Sequence, residues 1–470
     1  KASLISVAME VYSALLGERL TVLEADEFEG KTVKSVKQSF AAQFGVSRFR
    51  QRIFSEDGSE EIPDDDTFSL APVKIRLLLL EFCPADAERN QQMILASRDN
   101  DSVLLEELLR SPQDPNVVDE DGNTPLHHAA ENGHVKPVQL LLEASAEKDL
   151  GRHADGMTPL YLASADAHLD IVRLLVEADA DKEKAANDGM TALGMAAAAG
   201  HLDVVTFLIE AGADKEKLQM DGMTALGMAA AAGHLDVVTF LIEAGADKEK
   251  PQKEGMTPLG MAVAAGHLDV VTFLIEAGAD KEKLQNGRTT VLGMAAALGQ
   301  LNIVTCLIEA GADKEKAMDH AMTALGMAAS EGHPDVVTFL IEAGADKEKA
   351  LKHGMTALGM AASRGHLDVV TCLIEAGADK EKARNDGMTA LGMAAALGQL
   401  NIVTFLIEAG ADMTKKEKEG QSRWANTVVD GMFKRRSWHC PIADSGWSRH
   451  REGPEGWIYA IGGCICGWQS

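Results

Sequence analysis

Thirty residues, Asp188–Lys217, recur without a change at Asp221–Lys250, and this repetition constrains the 470-residue chain more than any other feature. One threonine marks the same point of every copy: Thr124, Thr158, Thr191, Thr224, Thr257, Thr290, Thr323, Thr356 and Thr389. Each step is 33 residues except the first, which is 34. Such a period marks a repeat array, whose small units bury their apolar faces only against their neighbours. Nine repeats follow from the ladder. Met93–Arg110 reads as a degenerate tenth ahead of them.

Within a repeat the pattern is helix, tight turn, helix, loop. Thr191 is placed to cap a helix over Ala192–Ala199, which Gly200 ends. Three repeats follow the threonine with proline (Pro125, Pro159, Pro258), whose missing N–H costs nothing in a first helical turn. A second helix is expected over Asp203–Ala211, with Val204, Val205, Phe207, Leu208 and Ile209 on its apolar face and Gly212 closing it. The polar stretch from DKEK to the next DG is turn-forming.

The pattern D-G-x-T-[PA]-L…G-H-x-D-V-V…L-I-E-A-G-A-D resembles the ankyrin repeat, most clearly in Asp121–His134, DGNTPLHHAAENGH. The match covers about 320 residues. The resemblance implies a mainly α fold, an α-solenoid of antiparallel helix pairs that binds other proteins through a concave groove of hairpin tips and first helices. One departure is systematic. The family's histidine after T-P-L is present as His127, is Tyr161 in the next repeat, and is glycine in seven others: Gly194, Gly227, Gly260, Gly293, Gly326, Gly359 and Gly392. A helical glycine costs about 1 kcal/mol relative to alanine, so weaker first helices and lost histidine hydrogen bonds are expected.

Residues 1–84 read as a different domain. Met9–Leu16 and Leu20–Glu24 suggest a hairpin, Thr32–Phe44 an amphipathic helix with Val33, Val36, Phe40 and Phe44 inward, and Arg52–Ser55 and Val73–Phe82 further strands. The run Thr32–Gly58, between a hairpin and VKIRLLLL, resembles a small α+β ubiquitin-like (β-grasp) domain. No Gly-Gly follows Phe82, so conjugation to substrates is not expected. Phe54 is the candidate docking residue on its third strand, although a buried strand residue would be equally ordinary.

The array occupies residues 85–412 and a tail residues 413–470. All five tryptophans lie in that tail, which shows no periodicity and reads as disordered, or as an artefactual gene-model end. The formal charge of −27 is unevenly spread: ten basic residues oppose fourteen acidic in 1–85, nine oppose six in the tail, and 86–412 carries −26. That acidity argues against nucleic acid or an anionic membrane as partner of the array. Six cysteines are no disulfide framework and fit a reducing compartment, hence a cytoplasmic expectation with the nucleus as second choice. No apolar run reaches the roughly 20 residues that span a bilayer. The chain begins at Lys1, which fits a fragment or processed product.

Candidate chemistry is sparse. His134, His168, His201, His234, His267, His333 and His366 sit one repeat apart and read as turn-stabilising rather than metal-binding. Cys306 and Cys372 replace Phe207-equivalent residues and read as small core groups. His439, Cys440, Cys464 and Cys466 form a poor zinc pattern, and Lys434-Arg435-Arg436 is too short for a nuclear signal. DKEK, seven times repeated, balances its own charge and reads as a solvated edge.

Two methionine ladders remain. Met195, Met228, Met261, Met294, Met327, Met360 and Met393 lie among alanines and read as core. Met157, Met190, Met223, Met256, Met322, Met355 and Met388 precede the capping threonine, beside Asp188 and Asp221 in two repeats. By the family resemblance they border the groove, and a flexible apolar stripe there suits a peptide or helix. Packing beneath the hairpin explains them equally well.

The expectation is a non-enzymatic, monomeric scaffold or adaptor without cofactor or metal, holding a client protein and linked to ubiquitin-pathway partners by its amino-terminal domain. The alternative is a regulatory fragment of a ligase or kinase whose catalytic domain lies outside this chain.

Overall fold

The computed structural model describes residues 8–13, 19–24, 33–44, 47–54, 61, 76–79, 86–111, 113–219, 222–317 and 322–412. The tail from 413, with its tryptophans, its Cys and His residues and Lys434–Arg436, lies outside the described residues.

The amino-terminal part holds β1 (Ala8–Ser13), β2 (Arg19–Glu24), α1 (Val33–Phe44), β3 (Gln51–Phe54) and β4 (Arg76–Leu79). The strands form one sheet in the order β2-β1-β4-β3. β1 is antiparallel to β2 and parallel to β4, and β3 is antiparallel to β4. Val33 and Val36 of α1 and Ile53 of β3 are fully buried. Phe40 and Phe44 lie outside the described side chains.

Among the described residues twenty helices follow as ten pairs. The first five are α2 (Ala87–Arg98) with α3 (Ser102–Arg110), α4 (Pro125–Glu131) with α5 (Val135–Glu143), α6 (Pro159–Ala165) with α7 (Leu169–Glu177), α8 (Ala192–Ala199) with α9 (Leu202–Glu210), and α10 (Ala225–Ala232) with α11 (Leu235–Glu243). The others are α12 (Pro258–Ala265) with α13 (Leu268–Glu276), α14 (Val291–Ala297) with α15 (Leu301–Glu309), α16 (Ala324–Glu331) with α17 (Pro334–Glu342), α18 (Ala357–Arg364) with α19 (Leu367–Glu375), and α20 (Ala390–Ala396) with α21 (Leu400–Glu408).

Contacts divide the chain into two compact units, one of Lys1–Ala229 with Asp236–Ala246, the other of Ala230–Leu235 with Asp247–Ser470. In the first, α2, α4, α6 and α8 pack in succession and so do α3, α5, α7 and α9. In the second, first helices pack from α12 to α20 and second helices from α13 to α21.

The local chemistry is uniform. The Thr191 hydroxyl accepts the Gly194 N–H at 3.3 Å, and Thr257, Thr290, Thr323, Thr356 and Thr389 do the same for their glycines. Gly200 closes α8 at φ +79°, a conformation costly to any residue with a Cβ. Val204, Val205 and Leu208 of α9 are fully buried, as are Ala196 and Ala197 of α8. These small first-helix residues let neighbouring repeats approach closely.

Three expectations need correction. Phe207 is only half-buried and stands beside the exposed Arg173, whose guanidinium lies 4.5 Å from its ring centroid. Cys306 and Cys372 at the equivalent position are likewise half-buried, and Cys306 lies against Thr272 of the preceding second helix, α13. Of the first-helix methionines, Met228 and Met393 are buried, but Met195, Met261, Met294, Met327 and Met360 are only half-buried.

The DKEK loops are more than a solvated edge, since their charges pair between repeats. Glu249 accepts the Asp280 N–H at 2.7 Å, and its carbonyl accepts the Lys283 ammonium at 2.6 Å. The Lys283 ammonium also lies 3.4 Å from the Glu249 carboxylate. The same pairing joins Glu183 to Lys217, Glu282 to Lys316, Glu315 to Lys349 and Glu348 to Lys382.

Candidate protein-binding surface

The seven methionines that precede the capping threonines are all half-buried, and all but Met322, whose preceding residues lie outside those described, sit on the return of a hairpin. Their backbone closes the hairpin: the Met190 carbonyl accepts from Ala186 N–H at 2.9 Å, and that of Met355 from Leu351 N–H at 2.8 Å. The Asp188 carboxylate accepts the Met190 N–H at 2.9 Å and stays exposed. Asp221 lies outside the described residues. Phe54 ends β3, but its side chain lies outside those described.

The side chains are partly packed. Met157, Met190 and Met195 lie against the buried Tyr161, whose hydroxyl donates to the Met195 sulfur at 3.3 Å. The Met388 Cγ sits 3.1 Å from where a Cβ on Gly392 would be, and the Met355 Cγ 3.5 Å from that on Gly359. A methionine therefore leans over the bare helix at these glycines. Both readings of the ladder meet here: the stem packs and the remainder is accessible.

The first two full repeats are chemically richer. The buried His127 ring accepts the Thr124 N–H at Nδ1 (3.0 Å) and donates from Nε2 to the Met157 carbonyl (3.1 Å), which fixes the neutral tautomer. Burial pushes its pKa down to about 4. The Arg152 guanidinium bonds Asp155 at 2.7 Å and holds that carboxylate below its usual range. Asp155 in turn holds Arg152 above its own.

In two of the glycine repeats the histidine's bond is replaced from the next repeat. The Gln219 carboxamide oxygen, one repeat on, accepts the Thr191 N–H at 2.6 Å, and Gln285 serves Thr257 at 2.8 Å. Sequence reasoning missed these glutamines. A signal existed: 25 residues beyond Gly194, Gly227 and Gly260 lies a glutamine each time, Gln219, Gln252 and Gln285.

The turn histidines bond across repeats. Nε2 of His134, His168, His201, His267, His333 and His366 lies 2.8–3.1 Å from a carbonyl at the end of the preceding first helix, as with His201 and Ala165. Among the described residues no group of three or more His, Cys, Asp or Glu is arranged to hold a metal ion. None of their helices is long and apolar enough to cross a membrane.

Capped helix pairs, a 33-residue period and turn histidines that bond one repeat to the last together define an ankyrin-type array. The family model for ankyrin repeats in three copies matches residues 93–186, 149–219, 193–285, 282–350 and 325–417, and the chain belongs to the ankyrin-repeat family. Ankyrin repeats are in general protein–protein interaction modules and in general non-catalytic. A search of curated proteins found no match.

Proposed function

We propose that the protein is a non-enzymatic scaffold or adaptor whose array, residues 85–412, holds a client protein on the face built by hairpin returns and first helices. The observation that carries this is the half-buried methionine ladder: Met157, Met190, Met223, Met256, Met322, Met355 and Met388 present flexible apolar surface once per repeat, with Asp188 exposed beside one of them. The client is a peptide or helix with an apolar face, and the −26 charge of the array steers a basic one toward it.

Residues 1–84 supply a second attachment, a ubiquitin-like domain that links the client to ubiquitin-pathway partners with Phe54 as a contact. What supports this is a four-stranded sheet whose first strand runs parallel to its last, with a helix between the second and third. A cytoplasmic, monomeric protein fits this role.

The test substitutes Met322, Met355 and Met388 by serine in the full chain and compares captured clients and thermal stability with the parent. Loss of client at unchanged melting temperature supports the groove. A lowered melting temperature with the client retained overturns it.

A further inference from the structure

The Arg48 side chain is only 1% exposed, yet its charge is met by residues of the array. Its Nε lies 2.6 Å from a Glu143 oxygen at the end of α5, and its terminal nitrogen 3.4 Å from Glu106 on α3. Gln38 of α1 donates to the other Glu143 oxygen at 3.0 Å. The Arg52 guanidinium of β3 donates to the carbonyl of Arg110, the last residue of α3. Cationic groups at these helix ends suit the local dipoles, which a glutamate closing α5 does not.

These contacts meet β3 at a sensitive place. Among the described strands β3 is an edge, paired only with β4, and an unpaired edge is a template for another chain. The residues before it, Ser47, Arg48 and Phe49, are at most 4% exposed, and Gln51 at its start is buried with its amide donating to the Lys37 carbonyl of α1.

We infer that Arg48 is a latch, holding the amino-terminal sheet on the second helices of the first two helix pairs and thereby covering the outer edge of β3. Reversing the charge of Arg48 or of Glu143 sets like charges against each other in a contact that is nearly closed to water, which favours separation of the two surfaces. The contact is built from charged and polar groups, as separable inter-domain contacts are. A partner that reads β3 has to displace α3 and α5 first. This last consequence rests on the reading of the amino-terminal domain as a docking module; the latch itself does not.

Hydrogen exchange on the full-length chain, with no partner present, tests it with R48E, E143R and the swap R48E/E143R. Both single variants are expected to speed exchange at least tenfold in β3 and in the last turns of α3 and α5, while α1 keeps its protection, and the swap to restore the parent pattern. Unchanged β3 exchange in R48E overturns the latch. If α1 also loses protection in R48E, the domain has unfolded and E143R decides, since Glu143 lies outside the sheet: faster β3 exchange there supports the latch, and unchanged exchange overturns it. Client capture plays no part in this assay, so the scaffold reading can fail without it.

Discussion

Gln285 occupies the space that a side chain on Gly260 would need. Its carboxamide oxygen lies 2.2 Å from the position of a Cβ on that glycine and accepts both the N–H and the hydroxyl of Thr257, at 2.8 and 3.2 Å. Where His127 serves Thr124 from its own helix, Gln285 serves Thr257 from the next repeat. The glycine is thus the opening through which one repeat caps its neighbour.

This pairing predicts a coupled response. Gln285→Ala leaves the buried Thr257 N–H without its acceptor and costs about 1–3 kcal/mol. Gly260→Ala forgoes the roughly 1 kcal/mol gain of helix propensity because the new Cβ displaces the glutamine, and the net effect is destabilising. Gly260→His combined with Gln285→Ala restores an acceptor and room for it. Urea denaturation of the parent, Gly260→His, Gln285→Ala and their double variant gives the coupling; additive losses would refute the pairing.

The inter-repeat ion ladder predicts unequal effects of its two partners. Lys283→Met removes a partly exposed charge, costs under about 1 kcal/mol, and costs less still at high salt. Glu249→Ala also removes the acceptor of the Asp280 N–H, adds about 1 kcal/mol, and keeps most of that loss in salt. Melting curves at low and high ionic strength distinguish them. Equal, fully salt-sensitive losses would make the ladder purely Coulombic.

His127 predicts a pH dependence confined to the amino-terminal repeats. Its folded pKa of about 4 lies below the ordinary 6.5, so the unfolded chain binds the extra proton first. The stability contributed is whole above about pH 6.5 and falls as pH drops toward 4, by on the order of 3 kcal/mol. The physical cause is burial, and protonation at Nδ1 also removes the acceptor of the Thr124 N–H. His127→Gln should flatten this part of the curve between pH 4 and 6.5. An unchanged slope would show that the histidine titrates normally.

The half-buried cysteines predict a mild reactivity. Cys306 lies 3.4 Å from the Thr272 hydroxyl on a side of its helix that is not core. Native protein should therefore react with a thiol reagent at Cys306 and Cys372 without unfolding. Reaction only in denaturant would place them in the core after all.

Periodicity, turn glycines and capping threonines were legible in the sequence because each acts within one repeat, over a few residues of chain. They determined the ankyrin array and, through the methionine ladder, a candidate face. The strands and helix of the amino-terminal part were legible for the same reason, with ends shifted by a few residues.

Contacts between repeats and domains were not. Phe207 looked like core because helical spacing gives an apolar face but not its width, and the neighbouring helix covers only Val204, Val205 and Leu208. Gly194 and Gly260 looked like lost bonds because Gln219 and Gln285 lie 25 residues beyond them and only stacking brings them to Thr191 and Thr257. Arg48 looked like one more charge in a basic stretch until folding set it 2.6 Å from Glu143. Local chemistry fixes what each repeat is; tertiary packing, which joins residues distant along the chain, decides which of its groups are spent on neighbours and which remain to bind.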